Sequence, residues 1–191
     1  MILLVVGLVA FLGIHSISIV APTFRDGMAA RLGALPWRGL YSLISIAGFA
    51  LLIAGYGAAR HTPVVLYHPP FWTHYAAAVL MLPVFPLLLA TYFPGRIKAT
   101  LRHPMLVGTM LWALAHLISN GTLADGVLFG GFLLWAAADR ISFRHRAVRP
   151  LQGAPTARRN DVVVVLAGLA IYAIFMLWLH QTLMGVKPFP L

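Results

Sequence analysis

The chain has 191 residues, of which 61% are apolar and only 9% charged, with a formal charge of +10. That balance excludes a soluble globular domain, and it assigns the basic excess to topology and anionic lipid headgroups rather than to nucleic acid. Cysteine and glutamate are both absent, the four acids being Asp26, Asp125, Asp139 and Asp161, which rules out disulfides, iron–sulfur clusters, thiolate haem ligation and paired-glutamate catalysis.

A helix needs roughly 20 apolar residues to cross the ~30 Å hydrocarbon core. The first apolar stretch, 2–20, has no basic segment before it and no small-residue cleavage site after it. It therefore reads as a retained span and not a signal peptide. Residues 21–40 connect it to the second span, and Met28 to Leu35 are expected to form a short helix on the membrane surface. The second span, 41–58, leads into a proline-rich loop with Pro63, Pro69 and Pro70. The third is 75–93, followed by the basic segment 94–104. The fourth and fifth, 105–120 and 122–138, are split by the turn Asn120-Gly121 and read as a tight helical hairpin. A basic linker, 139–160, with Pro150, Gly153 and Pro155, precedes the sixth span, 161–182. Tyr41, Tyr56, Trp72, Tyr75, Tyr92 and Trp135 fall near span ends, as an interfacial aromatic belt requires. The fold class is all-α, a polytopic transmembrane helical bundle of about six spans.

With six spans, the first, third and fifth loops share one side. They hold Arg25, Arg31, Arg38, Arg96, Lys98, Arg102, Arg140, Arg144, Arg146, Arg149, Arg158 and Arg159, or 12 of the 14 basic residues. The other side keeps Arg60 and Lys187. The positive-inside rule makes the first set cytoplasmic and puts both termini outside.

Of the histidines, His15 and His116 lie deep in apolar spans, where an ionisable residue is a functional candidate by default. His15 lies about 20 Å from the outer start of its span and His116 about 17 Å from the inner start of its own. In a ~30 Å core these depths are similar. Two neutral imidazoles so placed suit a shared metal, and bis-histidine ligation of a haem iron fits. The alternative is a pair of histidines hydrogen-bonded to neighbouring helices. Gly7, Phe11, His15 and Ser18 share one helical face, as do Gly108, Trp112, Ala115, His116 and Ser119. The small residues suit either approach of a flat ring or helix packing. Phe11 and Trp112 are candidate pocket walls.

Other signals are weaker. His61, His68 and His74 read as solvated loop histidines, His180 as interfacial, and His145 as part of the basic linker. Gly126 and Gly130 form a helix-packing pattern. At Arg102-His103-Pro104, Arg102, with Arg25 or Arg140, suits carboxylates or phosphates such as haem propionates, and the alternative is a topogenic basic cluster. His103 is placed to cap the next helix or contact a ligand.

Several stretches together resemble the NnrU family: F-L-G-I-H-S at 11–16, Ala21 to Asp26, P-W-R-G-L-Y-S-L at 36–43, R-H-P-M-L-V-G at 102–108, L-W-A-L-A-H-L at 111–117 with Asn120-Gly121, and F-G-G-F-L-L-W-A-A-A-D-R at 129–140. The resemblance spans roughly residues 1–146 as a membrane domain, leaving 147–160 as a basic cytoplasmic linker and 161–191 as the last helix and tail. This family is similar to plant and cyanobacterial 15-cis-ζ-carotene isomerases, membrane proteins holding haem b between histidines of an H-S and an A-H motif. The matching positions are His15 and His116. Ala113 stands where the isomerase pattern has a cysteine, so thiol-based ligand exchange is absent.

The resemblance implies a haem b protein of the bacterial inner membrane linked to denitrification, with nitric oxide as a ligand that displaces one histidine. It also implies, as an alternative, a haem-dependent cis–trans isomerase of a polyene. A membrane methyltransferase also carries an R-H-P motif, but its following pair of glutamates is missing here. A fourth reading is a non-enzymatic assembly protein. The electron-transfer partner is not readable from the chain.

Overall fold

The computed structural model describes residues 1–146 and 152–188; Arg149 and Pro150 of the basic linker lie outside the described residues. The helices in chain order are α1 (Ile2–Val20), α2 (Pro22–Leu32), α3 (Ala34–His61), α4 (Trp72–Met81), α5 (Val84–Tyr92), α6 (Arg96–Leu101), α7 (Pro104–Ser119), α8 (Leu123–Ser142), α9 (Arg159–Ile174) and, after a π-turn at Phe175–Leu179, α10 (His180–Met184). The chain divides into two compact units, Met1–Tyr67 with Thr122–Arg146, and His68–Gly121 with Ala147–Leu191.

In the first unit, α1 ends where Pro22 follows. Pro22 opens α2 at its first turn, where its missing N–H costs no hydrogen bond. The surface helix expected at Met28 to Leu35 therefore starts earlier. It stops at Gly33, whose φ of +88° suits glycine. The second expected span, 41–58, grows at both ends into α3, because Pro36 falls in the first turn and is tolerated there. α1 and α3 meet backbone to backbone. A Cβ on Gly7 would strike the main chain of Leu52, one on Gly55 the main chain of Leu4, and one on Gly48 would lie 2.7 Å from the Phe11 nitrogen. Close approach at small residues is how helices associate in lipid.

α8 completes this unit. Thr122 and Asp125 form a capping box at its start, Tyr56 Oη donates to Asp125 Oδ1 at 2.5 Å, and Leu123 N–H donates to Val64 O at 2.8 Å. The glycine pattern read from sequence does not make the contact. Gly126 would meet only Leu66, at 3.9 Å, and Gly130 nothing within 4 Å, whereas a Cβ on Gly131 would fall 2.7 Å from Leu8 Cδ2. Beyond its expected end α8 is closed by Arg146, which folds back onto Asp139, reaches Ser142 Oγ at 2.8 Å and stands 3.8 Å over the Phe143 ring.

In the second unit the third expected span, 75–93, breaks at Leu82-Pro83 into α4 and α5, since proline removes an intrahelical donor. Pro86 of α5 lies against Gly168 of α9, and Gly108 of α7 against Val84 and Leu87. Tyr172 Oη donates to Ala78 O at 3.0 Å. Asp161 accepts the N–H groups of Arg96 and Ile97 at 2.9 and 3.1 Å, which supplies acceptors to the open start of α6. Gly153 packs on Tyr92, and Ala154 N–H donates to Tyr92 O at 2.8 Å.

Among the described residues four helices are long and apolar enough to cross a membrane: Ile2–Val20, Ala34–His61, Trp72–Tyr92 and Arg159–Met184. The fourth and fifth expected stretches become α7, which is apolar but only 16 residues long, and α8, which carries Asp125, Asp139 and Arg140. Ile2, Val9, Val20, Leu134 and Leu177 each expose more than 60% of their surface. Apolar surface of this extent on long helices belongs against lipid tails, and the protein is an integral membrane protein.

Candidate functional site

His15 is half-buried on α1. Its Nδ1 lies 2.6 Å from the carbonyl oxygen of Phe11, one turn earlier. A carbonyl only accepts, so the proton sits on Nδ1 and the lone pair of the neutral ring on Nε2. The Phe11 ring packs on the imidazole at 4.3 Å, and itself lies 5.8 Å from both Phe49 and Phe132. Tyr41 of α3 stands edge-on to His15 at 5.3 Å, and Trp135 of α8 edge-on at 6.0 Å. All of these residues belong to the first unit. So do Arg25, bonded to Asp26 at 2.8 Å, and the half-buried Arg140.

His116 lies in the second unit and is built the same way. Its Nδ1 is 2.8 Å from the Trp112 carbonyl oxygen, again one turn earlier, and the two rings are 5.4 Å apart. Asn120 Nδ2 donates to the His116 carbonyl at 3.0 Å as α7 ends. Each histidine thus spends its Nδ1–H on the carbonyl of an aromatic residue that also packs against its ring. Ligating histidines characteristically show this second hydrogen bond, which fixes the tautomer and raises the basicity of the ligating nitrogen.

The remaining sequence candidates fall elsewhere. Arg102 is exposed between α6 and α7, about 20 Å along the helix axis from His116. It has φ +62° and ψ −48°, and His103 N–H bonds back to Leu101 O at 2.7 Å, which makes a strained γ-turn. His103 occupies the N-cap of α7 without a side-chain capping bond. Gly7 and Gly108, which the sequence offered as approach points for a flat ring, are filled by Leu52 and by α5. His61, His68 and His145 are exposed, and His180 Nδ1 lies 2.8 Å from Val186 O.

Among the described residues no group of three or more histidines and acids is gathered for a metal ion. A porphyrin iron needs only two protein ligands, and both histidines have the required donor chemistry. The sequence marks Trp135 and Tyr41 only as interfacial belt residues. Their pairing with His15 is carried by tertiary packing, and the faint signal for Trp135 was its spacing of one turn from Phe132. In the second unit a separate groove of about 560 Å³ is lined only by apolar side chains, Leu82, Pro83, Pro86, Leu87, Ile97, Val165 and Leu169.

No curated protein and no solved structure matches the chain. A family model described as NnrU protein matches residues 3–188, through the linker and the last helix, and the chain belongs to that family.

Proposed function

We propose that the protein binds haem b through His15 and His116 as axial ligands and works in nitrogen-oxide metabolism, with its basic loops on the cytoplasmic side of a bacterial inner membrane. The observation that carries this reading is the matched state of the two imidazoles. Each sets Nδ1 against a carbonyl one turn earlier, at 2.6 and 2.8 Å, which in a neutral ring leaves the lone pair on Nε2. Bound haem supplies a one-electron redox centre. The chain's part is to fix two ring orientations and to keep water away with Phe11, Phe49, Phe132 and Trp112. Haem held by both His15 and His116 would supply electron transfer or redox sensing, and nitric oxide is the candidate exogenous ligand. Arg25 and Arg140 are the candidate propionate partners, while Arg102 and His103, about 20 Å along α7 from His116, are too distant to share that group.

The second reading is haem-dependent cis–trans isomerisation of a polyene such as 15-cis-ζ-carotene, for which a bundle embedded in lipid suits the substrate. Conversion of tri-cis-ζ-carotene by the purified protein distinguishes it.

The test of haem binding is the absorption spectrum of detergent-purified protein, oxidised and dithionite-reduced, beside His15→Ala and His116→Ala. A low-spin b-type spectrum near one haem per chain, lost or turned high-spin in both variants, is expected. A wild-type protein that stays colourless after haem reconstitution refutes the reading.

A further inference from the structure

Among the described residues, Trp135 Nε1 is the one buried side-chain nitrogen or oxygen with no hydrogen-bond partner. An indole N–H can only donate, and burial without an acceptor is costly. Such a group calls for a water, an ion or a ligand. The surroundings narrow the choice. The Trp135 ring stands at 88° to the His15 ring with centroids 6.0 Å apart, and Tyr41 meets the same imidazole at 64° and 5.3 Å. Two side chains from different helices, each ending in a donor, therefore flank the imidazole whose Nε2 holds a lone pair. The Phe11 ring packs on the imidazole at 4.3 Å, and Phe49 and Phe132 in turn lie 5.8 Å from Phe11. A carboxylate oxygen is the strongest acceptor for such donors, since a hydrogen bond to an ionised group is roughly twice as strong as one between neutral groups.

The ends of the helices agree. Trp135 is one turn before Asp139 and Arg140 on α8, and His15 is just over one turn before the end of α1, after which α2 carries Arg25. Asp139 is already engaged by Arg146. An anion in a bilayer is least costly toward a helix end that offers cationic partners.

We propose that Trp135 Nε1, with the Tyr41 hydroxyl as a second donor at the same imidazole, hydrogen-bonds a carboxylate arm of the porphyrin ligated by His15, an assignment that rests on the haem reading above. The experiment titrates purified apoprotein in detergent with haem and with iron octaethylporphyrin, which carries ethyl groups and no carboxylate. Trp135→Phe keeps a ring in place and removes the donor. Tyr41→Phe removes only a hydroxyl. Trp178→Phe, on an exposed ring, is the control.

Loss of a hydrogen bond to a charged acceptor predicts haem affinity about 10- to 100-fold weaker in Trp135→Phe. A smaller loss is expected in Tyr41→Phe, and octaethylporphyrin affinity stays at the wild-type value in both. Equal weakening for both porphyrins assigns Trp135 to packing alone and overturns the proposal. Wild-type affinity for both in Trp135→Phe overturns it too, leaving the haem site intact. Failure of the wild type to bind either porphyrin removes the haem reading and this assignment together.

Discussion

Gly48→Ala tests whether the pairing of α1 with α3 depends on main-chain contact. A Cβ there would stand 2.7 Å from the Phe11 nitrogen, 3.1 Å from its Cα and 3.2 Å from the Ala10 carbonyl carbon. All three are main-chain atoms and cannot rotate away. Restoring an ordinary contact withdraws α1 by about 0.7 Å, a gap that forfeits a quarter to a half of each neighbouring van der Waals attraction. Overpacking of this kind costs about 1–3 kcal/mol, while alanine in place of glycine within a helix returns about 1 kcal/mol. Gly57 is on the same helix with nothing within 4 Å of its position, so Gly57→Ala shows the helix gain alone. Unfolding by increasing SDS mole fraction in mixed micelles is expected to place Gly48→Ala about 1–3 kcal/mol below Gly57→Ala. Equal stabilities for the two variants would refute the close-contact argument. Because the Phe11 carbonyl holds His15 Nδ1, the proposed haem site predicts a shifted spectrum in Gly48→Ala and an unchanged one in Gly57→Ala.

Asp125 accepts from Tyr56 and caps α8 through Thr122, so Asp125→Asn is expected to lose about 1–3 kcal/mol. Tyr56→Phe should cost much less in that background than alone, with coupling of at least about 0.5 kcal/mol in a double-mutant cycle. Arg102→Gly releases the positive-φ γ-turn before α7. Against about 1–3 kcal/mol of strain, glycine's added freedom costs up to about 1 kcal/mol, so the variant should equal or exceed wild-type stability in the same micelle titration. A clear loss would mean that Arg102's side-chain contacts outweigh the strain. Asp161→Ala removes the acceptor of two N–H groups at the start of α6, and hydrogen exchange at Arg96 and Ile97 is expected to quicken while α3 amides stay protected.

The sequence made some elements plain and hid others for physical reasons. α1 matches its expected bounds because an uninterrupted apolar run meets Pro22. α3 extends beyond 41–58 because its first turn tolerates Pro36, so the helix begins before the uninterrupted apolar run does. The third stretch hid its break at Leu82-Pro83, since average hydropathy does not register a missing backbone donor. His15 and His116 stood out because charge-bearing rings are costly in apolar helices. Trp135 and Tyr41 did not, because aromatics near span ends read as belt residues. Nothing local shows that a side chain 120 positions beyond His15 becomes its neighbour. Gly7 and Gly108 show the converse, since a small residue announces close approach without naming what approaches.

The discontinuity of the first unit sets an order of assembly. α1 to α3 leave the ribosome first, but α8, which brings Trp135 to His15, follows only after α4 to α7 have been made. At synthesis rates of ~5–20 residues per second, the wait across those 120 residues is about 6–24 s. During that interval the face of α1 that later receives α8 is covered by lipid or by the insertion machinery. The cluster of rings around His15 is therefore completed only once translation is well advanced.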